Sequence, residues 1–160
     1  DTLESRGLGD VYKRQQYTQL IARRIRELGV YSEILPWDIS SERLKCVKPK
    51  GVILSGGPES VTKTNTPRIS NEIFALSVPI LGICYGMQTL AEQNDGKVTT
   101  SSKKEFGYSK FSIEQDSLLF KGINTKEIEV WMSHGDKVSS LPNNFELTGS
   151  TESALSLIHI

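Results

Sequence analysis

The hydrophobic positions of this chain change period along its length, and the change predicts the architecture. Tyr17, Leu20, Ile21, Ile25 and Leu28 recur at helical spacing, with Arg23, Arg24, Arg26 and Glu27 on the other side. Gly29 stands where such a helix would end in a left-handed residue. Val30–Leu35 reads as a strand, and Ser40–Val47 as a short helix capped by Ser40 or Ser41. Gly51–Ser55 reads as a buried strand ending in the turn Gly56-Gly57-Pro58. Pro67–Leu76 returns to helical spacing with Ile69, Ile73, Phe74 and Leu76 inward. Pro79–Ile83 is a further buried strand, and Tyr85–Asn94 a helix closing near Gly96. Continuous apolar strands alternating with amphipathic helices predict an α/β fold, a parallel sheet covered on both faces. After Gly96 the pattern shortens. Lys97–Ser102, Tyr108–Glu114, Glu127–Met132 and Phe145–Ser150 read as strands without helices between them, an antiparallel extension of the sheet.

Composition narrows the classes. A chain of 160 residues suits one domain, and 19 basic against 19 acidic side chains give no bulk charge with which to hold a nucleic acid. The longest apolar run, Val78–Cys84, is interrupted by Pro79 and Gly82 and is far shorter than the ~18 residues of a membrane span. Neither a nucleic acid nor a membrane is therefore expected as a partner. Cys46 and Cys84 make no disulfide framework, and residues 1–15 lack the apolar stretch of a secretory signal, so a reducing, cytoplasmic setting is expected.

The sharpest local feature is Gly82-Ile83-Cys84-Tyr85-Gly86, a G-x-C-x-G between an apolar strand and a helix. This is the thiol form of a nucleophile elbow. Its tight turn excludes side chains at Gly82 and Gly86, and it presents Cys84 at a helix N-terminus, where partial positive charge favours thiolate. A lone cysteine is more often structural; the flanking glycines in this setting reverse that weighting. Ser55-Gly56-Gly57-Pro58 ends the other buried strand and would open on the same sheet edge. The backbone N–H groups of Gly57 and Tyr85 could there form a two-donor oxyanion hole, with an ordinary turn as the equally weighted alternative. A phosphate loop fits less well, because no G-K-[ST] ending follows and Glu59 would repel phosphate. His134 and His159 are the histidines, and neither setting singles one out as a base. No spacing of His and Cys predicts a metal site.

Taken together, five segments resemble the class I (triad) glutamine amidotransferase family, and within it the glutaminase domains of GMP synthases. They are Gln16–Arg24, Gly51–Ser60, Gly82–Gln88, Glu105–Tyr108 and Trp131–Val138. The resemblance implies a flavodoxin-like, three-layer, mostly parallel sheet with helices on both faces. It implies that Cys84 attacks the side-chain amide of glutamine, that Gly57 and Tyr85 hold the oxyanion, and that Gln88, Ser133, His134, Gly135 and Asp136 bind the substrate. The ammonia would pass to an ATP-pyrophosphatase domain that aminates xanthosine monophosphate to GMP. ATP and Mg would belong to that domain, with no cofactor in this one, and the full-length protein would be a homodimer.

The family's triad His and Glu come from a His-Pro-Glu segment, and this chain contains no such sequence. Residues 16–154 are expected to be a partial amidotransferase domain, incomplete at both ends, with 1–15 and 155–160 not native to it. The fragment itself is expected to be inactive. Two rival readings are an amidotransferase subunit of another biosynthetic pathway and a non-catalytic flavodoxin-like binding module.

Overall fold

The computed structural model describes residues 16–57, 59–152 and 155–159, with side chains described outside 101–106, 133–134 and 155–159. The expectations for Asp1–Gln15 and Pro58, and for the side chains of Ser133, His134 and His159, lie outside these. The chain divides into two compact units, Asp1–Gly86 and Met87–Ile160.

In the first unit, helix α1 covers residues 16–27. It ends as its glycine predicts. Gly29 takes φ 76°, its N–H donates to Arg26 O at 2.9 Å, and Val30 N–H donates to Ile25 O at 3.2 Å. That pair of bonds is the Schellman closure. The apolar stripe of α1 is only partly covered: Ala22 is buried, whereas Tyr17, Leu20 and Leu28 are exposed. The strand expected over Val30–Leu35 belongs to neither sheet. Side-chain hydrogen bonds tie this stretch back to α1 instead, from Arg26 Nη2 to Ser32 O at 2.7 Å and from Ser32 Oγ to Ala22 O at 3.3 Å.

Helix α2, Ser41–Val47, is capped by Ser40, whose hydroxyl accepts from Arg43 N–H, and closes at Lys48 in the left-handed region. Strand β1, Val52–Leu54, pairs in parallel with β2, Ile80–Gly82, in the register Val52↔Ile80, Ile53↔Leu81 and Leu54↔Gly82. Between them the helix expected over Pro67–Leu76 shrinks to α3, Asn71–Phe74, capped by Ser70. Tertiary hydrogen bonds claim the preceding residues. Tyr85 Oη donates to Pro67 O at 2.6 Å and Arg68 Nη2 to Val61 O at 2.8 Å. Ile69 and Ile73 are buried, as their spacing predicts.

Helix α4, Tyr85–Gln93, leads into the second unit. Its far end meets Pro142 closely: a Cβ on Gly96 would fall 2.8 Å from Ala91 O and 2.9 Å from Pro142 Cγ. The strands beyond are longer than their pattern suggests. Lys97–Ser102 and Tyr108–Glu114 merge into β3, Lys97–Ile113, and Glu127–Met132 extends into β4, Glu127–Ser140. The two pair antiparallel, with an irregularity where Thr100↔Asp136 is followed by Glu105↔His134, so that residues 101–104 stand against Gly135. Ser133–Asp136, beyond the strand end expected at Met132, therefore lies within a strand. Strand β5, Phe145–Ser150, joins β3 at Ser112↔Ser150 and Ile113↔Gly149. Leu155–His159, expected to be foreign to the domain, forms β6 and pairs antiparallel with β5. The sheet order is β4-β3-β5-β6, the antiparallel part of the fold.

The core of this unit gathers Leu90, Ala91, Phe111 and Val138. Gly149 lies directly under the Phe111 ring, against its Cζ. Thr148 is buried at the break in the β5–β6 register, and its hydroxyl has no hydrogen-bond partner among the described residues. Burying such a group costs free energy that a methyl would not. Thr148→Val should raise stability by about 1 kcal/mol, seen as a higher denaturation midpoint at unchanged slope. A lower midpoint would mean that the hydroxyl is bonded.

Candidate active site

The elbow is built from two parallel strands and the helix that follows them. Leu54 ends β1, and its carbonyl accepts from Ile83 N–H at 2.9 Å, which carries the ladder one residue beyond β2. Gly86 N–H donates to Ile83 O at 3.0 Å and turns the chain into α4. Between them Cys84 is forced to φ 52°, the left-handed region that a non-glycine residue rarely adopts. The requirement for glycine at 86 is steric. A Cβ there would run into the Leu54 carbonyl oxygen and lie 2.6 Å from Leu54 Cβ. Gly82 closes the β1–β2 ladder opposite Leu54.

The turn after β1 comes to the same place. A Cβ on Gly56 would fall 3.2 Å from Cys84 Cβ, and one on Gly57 would fall 3.9 Å from Tyr85 Cβ and Cγ. The structure thus brings Cys84, Tyr85, Gly56 and Gly57 together, with Gly56 the closer glycine to Cys84. Tyr85 is buried, and its hydroxyl is fastened to Pro67 O. No motif announces that anchor. Ser55 has no role in the sequence pattern beyond opening its turn, yet its hydroxyl lies 2.8 Å from Thr18 Oγ1 of α1 and donates to Gly56 O at 3.3 Å.

The electrostatics of Cys84 differ from the expectation of a ready thiolate. Burial pushes the thiol above its ordinary value, and the hydrogen bond from Tyr85 N–H, which works the other way, is the smaller effect. A half-buried sulfur loses more from leaving water than one backbone donor returns.

In the second unit, Gln88 and Asp136 come together. Both are buried, and Gln88 Nε2 donates to Asp136 O at 3.0 Å. Among the described residues, a Cβ on Gly135 would meet nothing within 4 Å. Ser133 and His134 are placed by their backbones, opposite Phe106 and Glu105 in the β3–β4 ladder. Among the described residues no group of three or more His, Cys, Asp or Glu could hold a metal ion, and no helix is long and apolar enough to cross a membrane.

A family model described as glutamine amidotransferase class-I matches residues 9–160. The GMP synthase (glutamine-hydrolyzing) of Histophilus somni is 51% identical over 142 residues, covering 85% of this chain and 27% of that protein. This chain thus spans about a quarter of the length of such curated relatives, 28% in the case of Ectopseudomonas mendocina. The crystal structure of a protein from Thermoplasma acidophilum, described as one subunit of a GMP synthase, superposes with a TM-score of 0.70 at 32% identity, covering 89% of this chain and 72% of that one. A Thermotoga maritima glutamine amidotransferase superposes with a TM-score of 0.71 at 20% identity, covering 88% and 65%, a likeness of fold.

Two outcomes follow from the elbow. Gly86→Ala should destabilise the chain by about 1–3 kcal/mol, because backbone atoms of β1 must move, and chemical denaturation would read the loss. Alkylation of Cys84 by iodoacetamide should accelerate with pH through a midpoint above the ~8.5 of a free thiol. A midpoint below that value would show that the helix terminus outweighs burial.

Proposed function

The chain belongs to the class-I glutamine amidotransferase family, and from that premise we propose that it is the glutaminase portion of a GMP synthase. The observation that carries the reading is Cys84 held at φ 52° between β2 and α4, with the Gly56-Gly57 turn packed against it. A nucleophile in that position, half-buried at the end of its strand, can meet a substrate with backbone N–H groups behind it.

In this reaction Cys84 Sγ attacks the side-chain carbonyl carbon of glutamine. The N–H groups of Gly57 and Tyr85 hold the oxygen as it gains negative charge. Collapse of the adduct breaks the carbon–nitrogen bond, and the amine leaves as ammonia after taking a proton equivalent to the one lost by the thiol. Water then cleaves the γ-glutamyl thioester to glutamate and restores the thiol. Gln88, Ser133, His134, Gly135 and Asp136 bind the glutamine, and the Gln88 bond to Asp136 O braces that segment. The ammonia passes to an ATP-pyrophosphatase domain, which uses ATP and Mg to aminate xanthosine monophosphate to GMP. The whole protein works as a homodimer.

The thiol needs a base, because burial holds it protonated at neutral pH. In the family a His-Pro-Glu segment supplies that base, and the sequence of this chain contains none. The 160-residue chain should therefore release negligible ammonia from glutamine. At alkaline pH Cys84 should still be labelled by a glutamine analogue bearing a chloromethyl ketone at the γ position, with free glutamine protecting it and Cys46 left unmodified. Equal labelling of Cys46, or labelling of Cys84 that glutamine does not slow, would refute the assignment. Glutamine hydrolysis abolished by Cys84→Ala would refute the expected inactivity.

A further inference from the structure

The proposed oxyanion hole depends on a donor, Gly57 N–H, that sits between two glycines with no side chain to orient it. Glycine pairs adopt many backbone conformations at low cost, so the plane of the Gly56–Gly57 peptide needs something else to hold it. The hydroxyls of Thr18 and Ser55 are placed to do so. Ser55 Oγ is 3.3 Å from Gly56 O, to which it donates, and 2.8 Å from Thr18 Oγ1. Each hydroxyl has one proton. Either hydroxyl can donate across the 2.8 Å contact, and for Ser55 to give its proton to Gly56 O, Thr18 must supply the one between them.

The consequence lies in the geometry of one peptide unit. Gly56 C=O and Gly57 N–H belong to the same plane and, in a trans peptide, point in opposite directions. Holding the carbonyl toward Ser55 turns the N–H to the other side. The same turn passes Cys84 with Gly56 in close approach to its Cβ. Resting on the glutaminase reading, we infer that Thr18 is a positioning residue: it acts through Ser55 to set the Gly56–Gly57 peptide so that Gly57 N–H serves the oxyanion formed at Cys84. Thr18 lies 66 positions before Cys84 in a helix that no elbow motif includes, and it touches no substrate atom in this role.

The test compares two reagents for the same thiol at alkaline pH, in the 160-residue chain and its variants. Iodoacetamide reports thiolate supply and access, and involves no oxyanion. The γ-chloromethyl ketone analogue of glutamine carries a carbonyl that becomes an oxyanion when sulfur attacks it. Thr18→Val removes the donor while keeping the shape. It should slow the glutamine analogue about tenfold and leave iodoacetamide within about twofold. Thr18→Ser restores a hydroxyl and should recover most of the lost rate, and Ser55→Ala should repeat the Thr18→Val pattern. Equal slowing of both reagents, no change with either, or no recovery in Thr18→Ser would overturn the inference. If iodoacetamide modifies Cys84 in the unaltered chain and the glutamine analogue does not, the glutaminase reading itself fails, and the inference with it. A selective loss in Thr18→Val requires that the unaltered chain react with both, so the two failures are told apart.

Discussion

The first turn of α4 is pressed against the end of β1, backbone to backbone, and the candidate site depends on that contact. Leu54 O ties down Ile83 N–H and occupies the space that a side chain at Gly86 would need. Because the helix starts so close to the strand, the chain has one residue in which to reverse, and that residue is Cys84 at positive φ. Such a conformation costs about 1–3 kcal/mol and persists where its surroundings over-determine it. Here the β1–β2 ladder, the Leu54 carbonyl and the Tyr85 anchor at Pro67 supply the constraint. The missing Cβ at Gly86 is what makes it sterically possible.

The same packing sets the chemistry in tension. Close approach of Gly56 and burial of Tyr85 take the thiol partly out of water, which raises its pKa, while the Tyr85 N–H draws it down by less. A protonated thiol is unreactive at neutral pH, so in the proposed reaction the elbow provides position and a general base provides charge. The division is physically sensible, since a desolvated sulfur also meets a carbonyl without a water shell to shed.

Polar groups are organised differently in the second unit. Gln88 and Asp136 are buried there, and the amide–carbonyl bond between them satisfies groups that would otherwise be costly to desolvate. Gly135 sits where β3 carries extra residues, a place where a strand gives up its ladder and can offer backbone groups to a ligand. The residues proposed for chemistry and those proposed for binding thus rest on different devices, a strained turn for the first and a braced strand irregularity for the second.

Local chemistry was legible in the sequence. The α1 closure at Gly29, the Ser40 cap, the parallel strands around residues 52–54 and 80–82, and the glycine-flanked cysteine all follow from residue type and spacing, because each is decided within a few residues. What the sequence could not settle were choices made by partners distant along the chain. Val30–Leu35 has the composition of a strand but bonds back to α1; Pro67–Ile69 has helical spacing but gives a carbonyl to Tyr85. Ser133–Asp136 lies beyond the strand end expected at Met132, yet pairing with β3 keeps it in a strand. The pKa of Cys84 and the Thr18–Ser55–Gly56 contact belong to the same group, since burial and a 37-residue separation leave no periodic trace. By itself the sequence marked out the residues proposed to carry chemistry and the glycine-flanked turns that hold Cys84 and Gly57. Tertiary structure decided how those residues are desolvated, oriented and bonded, because these depend on surfaces that meet only when the chain is folded.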